Sequence, residues 1–136
     1  MSVGSLVQQV AKGERGHVEI EITQSYIGTA IKLPATIIRG PEDGPTVTVC
    51  AALHGDEING TGIVRSLILD DNLMIESGAL VLIPVINIPG FERHSRYLPD
   101  RRDLNRCFPG SPSGSFSSRY AHAIFNKIVT DSVVSE

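Results

Sequence analysis

The sequence predicts an α/β fold, and three stretches carry that prediction. Residues 46–53, Thr-Val-Thr-Val-Cys-Ala-Ala-Leu, and residues 79–86, Ala-Leu-Val-Leu-Ile-Pro-Val-Ile, are apolar on both alternating faces, as expected of strands covered on both sides. Between them, residues 57–70 set Ile63 with Leu67 and Val64 with Ile68 at helical spacing. A helix joining two strands of one sheet is a crossover, so the two strands are expected to be parallel. At 136 residues the chain has the length of one common domain, able to bury roughly two thirds of its unfolded surface. Residues 1–136 are therefore read as a single α/β domain with a sheet flanked by helices.

Taken in order, residues 1–16 hold a short apolar pattern (Leu6, Val7, Val10) and then a Lys-Gly-Glu-Arg-Gly loop, with no chemistry attached. Residues 17–22 alternate apolar and polar with period two, a strand with one wet face that carries His17. A second strand-like run at 30–39 contains Pro34, which suits an edge or a bulge, and Gly40-Pro-Glu-Asp-Gly-Pro45 then breaks the chain. These two runs are expected to form an antiparallel pair leading into the sheet. The doubly apolar run at 46–53 is expected at the centre. In the helix that follows, Gly60 and Gly62 each cost about 0.5 to 1 kcal/mol relative to alanine, so close packing near the preceding turn or a frayed first turn is expected there. Pro84, inside the second buried run, implies a bulge or a locally free edge. Beyond residues 87–110, which have no period, residues 116–129 read as a second amphipathic helix through Tyr120, Ile124, Phe125 and Ile128.

Chemistry concentrates in two places. His54-Gly55-Asp56-Glu57 joins the first buried strand to its helix, so an imidazole and a carboxylate three residues apart can converge on one point. A nitrogen and a carboxylate oxygen suit zinc, but a catalytic zinc takes three protein ligands; the alternative is a pair of solvated side chains at a helix N-terminus, where a carboxylate is favoured anyway. The second place is the aperiodic stretch at 87–110, which holds five of the twelve basic residues: Arg93, Arg96, Arg101, Arg102 and Arg106. Long irregular connections in compact domains are functional or disordered, and this one leaves the end of a buried strand, where α/β sheets place their ligand crevices. Guanidinium groups there can grip an anionic substrate. Arg101 and Arg102 are expected to pair with the loop's own acids, whereas Arg96 and Arg106 are expected to face a ligand. His122, on the last helix, is a third metal ligand in principle; flanked by alanines, it fits packing or surface better.

Composition excludes several classes. A net charge of −3 and a pI near 5.8 leave no basic footprint for nucleic acid. Residues 1–16 show no leader and no apolar run is long enough to cross a bilayer, so no membrane association and a cytoplasmic location are expected. Cys50 and Cys107 form no CxxC and no disulfide framework. Cys50 reads as a small buried hydrophobe, and Cys107 as a weak nucleophile candidate without an evident base.

Jointly, His54-Gly-Asp-Glu57, Asn87-Ile-Pro-Gly90, Arg96-Tyr-Leu-Pro-Asp100 and Asp103-Leu-Asn-Arg-Cys-Phe-Pro-Gly110 resemble the succinylglutamate desuccinylase/aspartoacylase family of zinc-dependent hydrolases, related in fold to the zinc carboxypeptidases. The resemblance runs from about Val47 onward and implies a partial three-layer zinc-carboxypeptidase-like domain with a mixed central sheet. It also implies a zinc cofactor with His54 and Glu57 as two of its ligands, Arg96 as the catalytic group that polarises the scissile carbonyl, and Asn105 and Arg106 as the clamp on the carboxylate of a small-molecule substrate. The activity implied is hydrolysis of an amide bond other than a peptide bond, in an N-acyl amino acid or a related carboxylate. The family's third zinc ligand and general-base glutamate follow the helix that closes this chain, so the resemblance marks it as the N-terminal part of a longer catalytic domain, inactive by itself. Its strand at 79–87 is then expected to present an unpaired sheet edge through which copies can associate. The spacing of Asn87, Pro89 and Gly90 differs from the Asn-Pro pair of the aspartoacylases and leaves the acyl group and amino acid open. The rival reading is a non-catalytic module that binds a carboxylate ligand or a partner through the arginine loop.

Overall fold

The computed structural model describes residues 1–132. The elements run α1 (Val3–Val7), β1 (Arg15–Gln24), β2 (Ala30–Arg39), β3 (Glu42–Cys50), α2 (Asn59–Leu69), β4 (Ser77–Ile83), α3 (Ile88–Glu92), a 3-10 turn (Leu104–Arg106) and α4 (Phe116–Ile124), which continues as a π-helical segment over Phe125–Val129. The four strands lie in the order β1-β2-β4-β3. The β1–β2 and β2–β4 pairs are antiparallel and β3–β4 is parallel, so the sheet is mixed and α2 is the crossover that the spacing predicts.

Alternation along the strands builds two cores. One face of the sheet, with Ile20, Ile22, Leu33, Ala35, Ile37, Ala79, Val81 and Ile83, packs against α1 and α4 through Val3, Leu6, Val7, Tyr120, Ala121, Ile124 and Ile128. The other face, with Ile38 and Leu82, packs against α2 through Val64, Leu67 and Ile68. Helices on both faces make three layers. Two arginines tie the layers at their ends: Arg39 donates to the carbonyls of Val7 and Val10 behind α1, and Arg15 donates to those of Ile68, Asp70 and Leu73 at the end of α2. Both place a cation where a helix leaves its last carbonyls without partners.

Three expectations change. First, β3 is not central: among the described residues it is one of the two edges of the sheet, with Val47 52% and Val49 37% exposed, and Cys50 is exposed rather than buried. β4 lies inside the sheet, paired with β2 and β3, so the free edges among the described residues belong to β1 and β3 and not to residues 79–87. An apolar period reports which faces are covered and carries no information on lateral neighbours, so the two runs looked alike. Second, Glu57 precedes α2, which begins at Asn59; the glycines at 60 and 62 weaken an earlier start, and Gly60 lies against Ala51, with the space for a Cβ only 3.1 Å from the alanine's own. Third, Pro34 lies in an interior strand. It opposes Glu19 of β1, but the ladder between β2 and β4 begins only at Thr36, so its other flank is locally an edge. Pro84 behaves as expected: it ends β4, and pairing resumes beyond it through Ile86 N–H to Ala51 and Asn87 N–H to Ala52.

Candidate functional site

The parallel strands β3 and β4 end side by side, and both exits turn toward the same place. After β3 the chain passes through Ala52 at φ +52°, a left-handed conformation uncommon for a residue with a side chain, and this reverses it into Leu53 and His54. After β4, Asn87 caps α3 by accepting from the Gly90 N–H at 2.9 Å, while its amide nitrogen donates to the Leu53 carbonyl at 3.1 Å. The two turns touch through their glycines: a Cβ on Gly55 would stand 2.0 Å from the carbonyl carbon of Gly90. No side chain fits there.

His54, 7% exposed, is held between two carboxylates. Its Nδ1 lies 3.1 Å from Oε1 of Glu57 and its Nε2 lies 2.8 Å from Oδ1 of Asp103. Arg96 bridges the same two acids, with Nη1 3.2 Å from Glu57 Oε1 and Nη2 3.4 Å from Asp103 Oδ2. Asp103 opens the 3-10 turn by accepting from the Asn105 N–H at 2.9 Å. Burial pushes the Asp103 carboxyl up, but the hydrogen bonds from His54 and from the Asn105 backbone, with the charges of His54 and Arg96, outweigh it and hold the group below its ordinary range. Asp103 is thus an anionic acceptor at neutral pH.

The sequence-predicted residues fall into two groups. His54, Glu57 and Arg96 meet, whereas the side chains of Asn105 and Arg106 are exposed on the adjoining turn and hold no hydrogen bond among the described residues. His17 is bonded to Thr36 and His122 to Asn126, both away from this cluster. Arg101 and Arg102, expected to pair with the loop's acids, form no ion pair among the described residues, because Asp103 is committed to His54 and Arg96 and Asp100 accepts from the backbone and hydroxyl of Ser117. It is Arg96 that pairs. Cys107 donates its thiol to the Asp103 carbonyl, and burial first, then Asp100, push that thiol up, so it is a poor nucleophile. Asp103 carried no role in the sequence reading. The available signal was its place two residues before Asn105, since a metal-binding histidine ordinarily gives its second nitrogen to a carboxylate or carbonyl.

The donor set fits a metal. A neutral imidazole has one ring proton and can satisfy only one of two flanking carboxylates, so the other gap calls for a second cation, either a proton or a metal. With Asp103 on Nε2, Nδ1 is the nitrogen left to share a cation with Glu57. Two bonds of about 2.05 Å at a tetrahedral angle set their donor atoms about 3.3 Å apart, close to the 3.1 Å between Nδ1 and Oε1. Among the described residues there is no group of three histidine, cysteine or acidic side chains that could hold a metal ion, so His54 and Glu57 would form at most part of a donor set. Two cavities of about 610 and 690 Å³ lie elsewhere, beside Tyr26 and Phe116 and beside His17 and Arg65, and neither is lined by His54, Glu57, Arg96 or Asp103.

A mixed sheet with helices on both faces and a histidine–glutamate pair at the exit of a parallel strand places the chain in the carboxypeptidase-like class of α/β folds. Bovine thrombin-activatable fibrinolysis inhibitor, solved with a tick carboxypeptidase inhibitor, shares this fold at 18% identity and a TM-score of 0.50, over 85% of this chain and 50% of that one. The sequence pattern of the succinylglutamate desuccinylase/aspartoacylase catalytic domain matches residues 43–133, and the chain belongs to that family. It is 34% identical over 95 residues to the N-alpha-acetyl-L-2,4-diaminobutyric acid deacetylase of Halomonas elongata, a match covering 68% of this chain and 27% of the deacetylase. The succinylglutamate desuccinylase/aspartoacylase of Rhodobacter sphaeroides superposes with a TM-score of 0.72 at 29% identity, over 90% of this chain and 38% of that one. The chain thus spans about a quarter to two fifths of these two relatives.

Proposed function

We propose that the protein is a zinc-dependent amide hydrolase that removes the acyl group from an N-acyl amino acid or a related carboxylate. The observation that carries this reading is His54 poised between Glu57 and Asp103, one nitrogen turned to a potential metal ligand and the other fixed by an anion. Similarity to a deacetylase and to the desuccinylase/aspartoacylase of R. sphaeroides supports hydrolysis of an acyl amide.

In this reading His54 and Glu57 are two of the zinc ligands, and zinc held there supplies the Lewis acidity that activates a water and polarises a carbonyl. Asp103 keeps the proton of His54 on Nε2 and its ring in one orientation, leaving Nδ1 free as a donor. Arg96, already beside Glu57, presents guanidinium N–H groups where negative charge grows on the carbonyl oxygen during attack. Asn105 and Arg106 face solvent on the turn that Asp103 opens, where an amide and a guanidinium fork can hold the substrate's carboxylate. The remaining ligand and the general base come from outside the described residues.

The test is metal content and turnover of the full-length protein on N-acetyl, N-succinyl and other N-acyl amino acids. The expected outcome is about one zinc per chain, activity abolished by chelators and restored by zinc, and loss of both metal and activity in His54→Ala. A full-length protein that hydrolyses none of these amides and binds their carboxylates with unchanged affinity in His54→Ala would instead be the non-catalytic carboxylate-binding module.

A further inference from the structure

We infer that Asn87 is a positioning residue: it clamps the strained left-handed turn that aims His54 at the metal position. The inference rests on His54 being a metal ligand, and it concerns what holds that ligand in place.

Asn87 is fully buried, and each of its polar groups is used. Its backbone N–H donates to the Ala52 carbonyl at 3.1 Å and its side-chain amide donates to the next carbonyl along, Leu53, also at 3.1 Å. Two donors from one residue therefore grip two consecutive carbonyls, and the first of these belongs to the residue at φ +52°. Alanine is disfavoured in that conformation and keeps it only where the surroundings over-determine it. Asn87 supplies that constraint, and it is itself fixed. Its Oδ1 accepts from Gly90, and the peptides on either side of it are held by the Tyr120 phenol, which donates to the Ile86 carbonyl at 2.8 Å and accepts from the Ile88 N–H. The path from α4 to the imidazole is thus Tyr120, the 86–88 backbone, the Asn87 amide, the Leu53 carbonyl and His54. Gly90 has no Cβ because the Asn87 side chain lies 2.7 to 2.9 Å from where one would stand.

The test uses Asn87→Asp in the full-length protein, which keeps shape and the acceptor for Gly90 but replaces the donor to Leu53 with an oxygen. Zinc affinity is read by competition with a chromophoric chelator, and the ¹⁵N shifts of the His54 ring in the metal-free protein report its tautomer without any metal. The expected result is zinc affinity about 10- to 100-fold lower, the usual range for losing a support behind a ligand, together with altered His54 ring shifts. Ala52→Gly, which relieves the left-handed strain, is expected to recover part of both losses in the double variant. Should Asn87→Asp not fold, the comparison is Ala52→Gly with and without Asn87→Asp; equal zinc affinity in the two overturns the clamp. Wild-type affinity and ring shifts in a folded but less stable Asn87→Asp also overturn it, leaving Asn87 a role in folding alone. Altered ring shifts in a protein that binds no zinc in any variant uphold the clamp and overturn the zinc reading.

Discussion

Arg96, in the cluster with His54, Glu57 and Asp103, and Arg106, exposed on the adjoining turn, are expected to contribute in different ways. If Arg96 acts as proposed, Arg96→Ala removes a group that meets charge formed only in the transition state, and kcat of the full-length protein is expected to fall about 10²- to 10³-fold with KM little changed. If Arg106 holds the substrate's carboxylate as proposed, Arg106→Ala removes a grip present before reaction, and KM is expected to rise with kcat nearly intact. Steady-state kinetics on one N-acyl amino acid separates the two, and a KM effect from Arg96→Ala would reverse their assignments. His54 and Glu57 were picked out because an imidazole and a carboxylate three residues apart stand out after a buried strand, and Arg96, one of five arginines in its loop, through the motif resemblance. Asp103 and Asn87 were not. An aspartate among arginines looks like a charge partner, an asparagine after a strand looks like a cap, and only the fold reveals that one touches Nε2 of His54 and the other the carbonyl just before it.

Among the elements, α2 depends on a contact far away in sequence. Arg15, at the start of β1, gives hydrogen bonds to the carbonyl of Ile68 in the last turn of the helix, at 2.7 Å, and to those of its C-cap Asp70 and of Leu73 in the loop beyond. Hydrogen bonds from a charged donor contribute about 1.5 to 3 kcal/mol. Arg15→Ala is therefore expected to lower stability by about that amount in a urea titration, whereas Lys12→Ala, whose partner Asp43 is exposed, is expected to change it little. The type of each long element was readable from period and proline positions, and the β1–β2 pair, α2 and the parallel β3–β4 pair all follow. Element ends were less so: the start of α2 is set by glycine packing on Ala51, and the passage of α4 into a π-helical segment has no mark in the apolar spacing.

At the scale of the whole chain, the edge of β3 governs behaviour. Its unpaired side and the exposed Val47 and Val49 offer a template for another strand. The 136-residue chain by itself is therefore expected to self-associate in sedimentation velocity and to bind an apolar dye. Val47→Lys is expected to suppress both, and a monomeric chain without dye binding would refute this. On the proposed zinc reading the same chain is expected to hydrolyse no N-acyl amino acid, since no group of three metal-holding side chains is found among its described residues. The order of the strands was the part of the fold least legible in the sequence, because lateral neighbours leave no trace in which faces are apolar.

The buried Tyr120 phenol, introduced above as a tie to the 86–88 backbone, also gives the molecule an optical gauge. The chain has no tryptophan and three tyrosines, so tyrosinate absorbance is unobscured. Tyr26 and Tyr97 are 67% and 46% exposed, while Tyr120 is fully enclosed. Burial, reinforced by Glu92 and only partly offset by the Ile88 N–H, drives its ionisation far above the ordinary tyrosine value. A group raised in the folded state stabilises below its unfolded pKa, about 10, and that contribution is lost as pH rises beyond it. Alkaline titration is therefore expected to reveal the Tyr120 phenolate only as the protein opens. That absorbance step then marks release of the helix that braces the His54 turn. If Tyr120 ionises while the fold persists, α4 does not seal this residue.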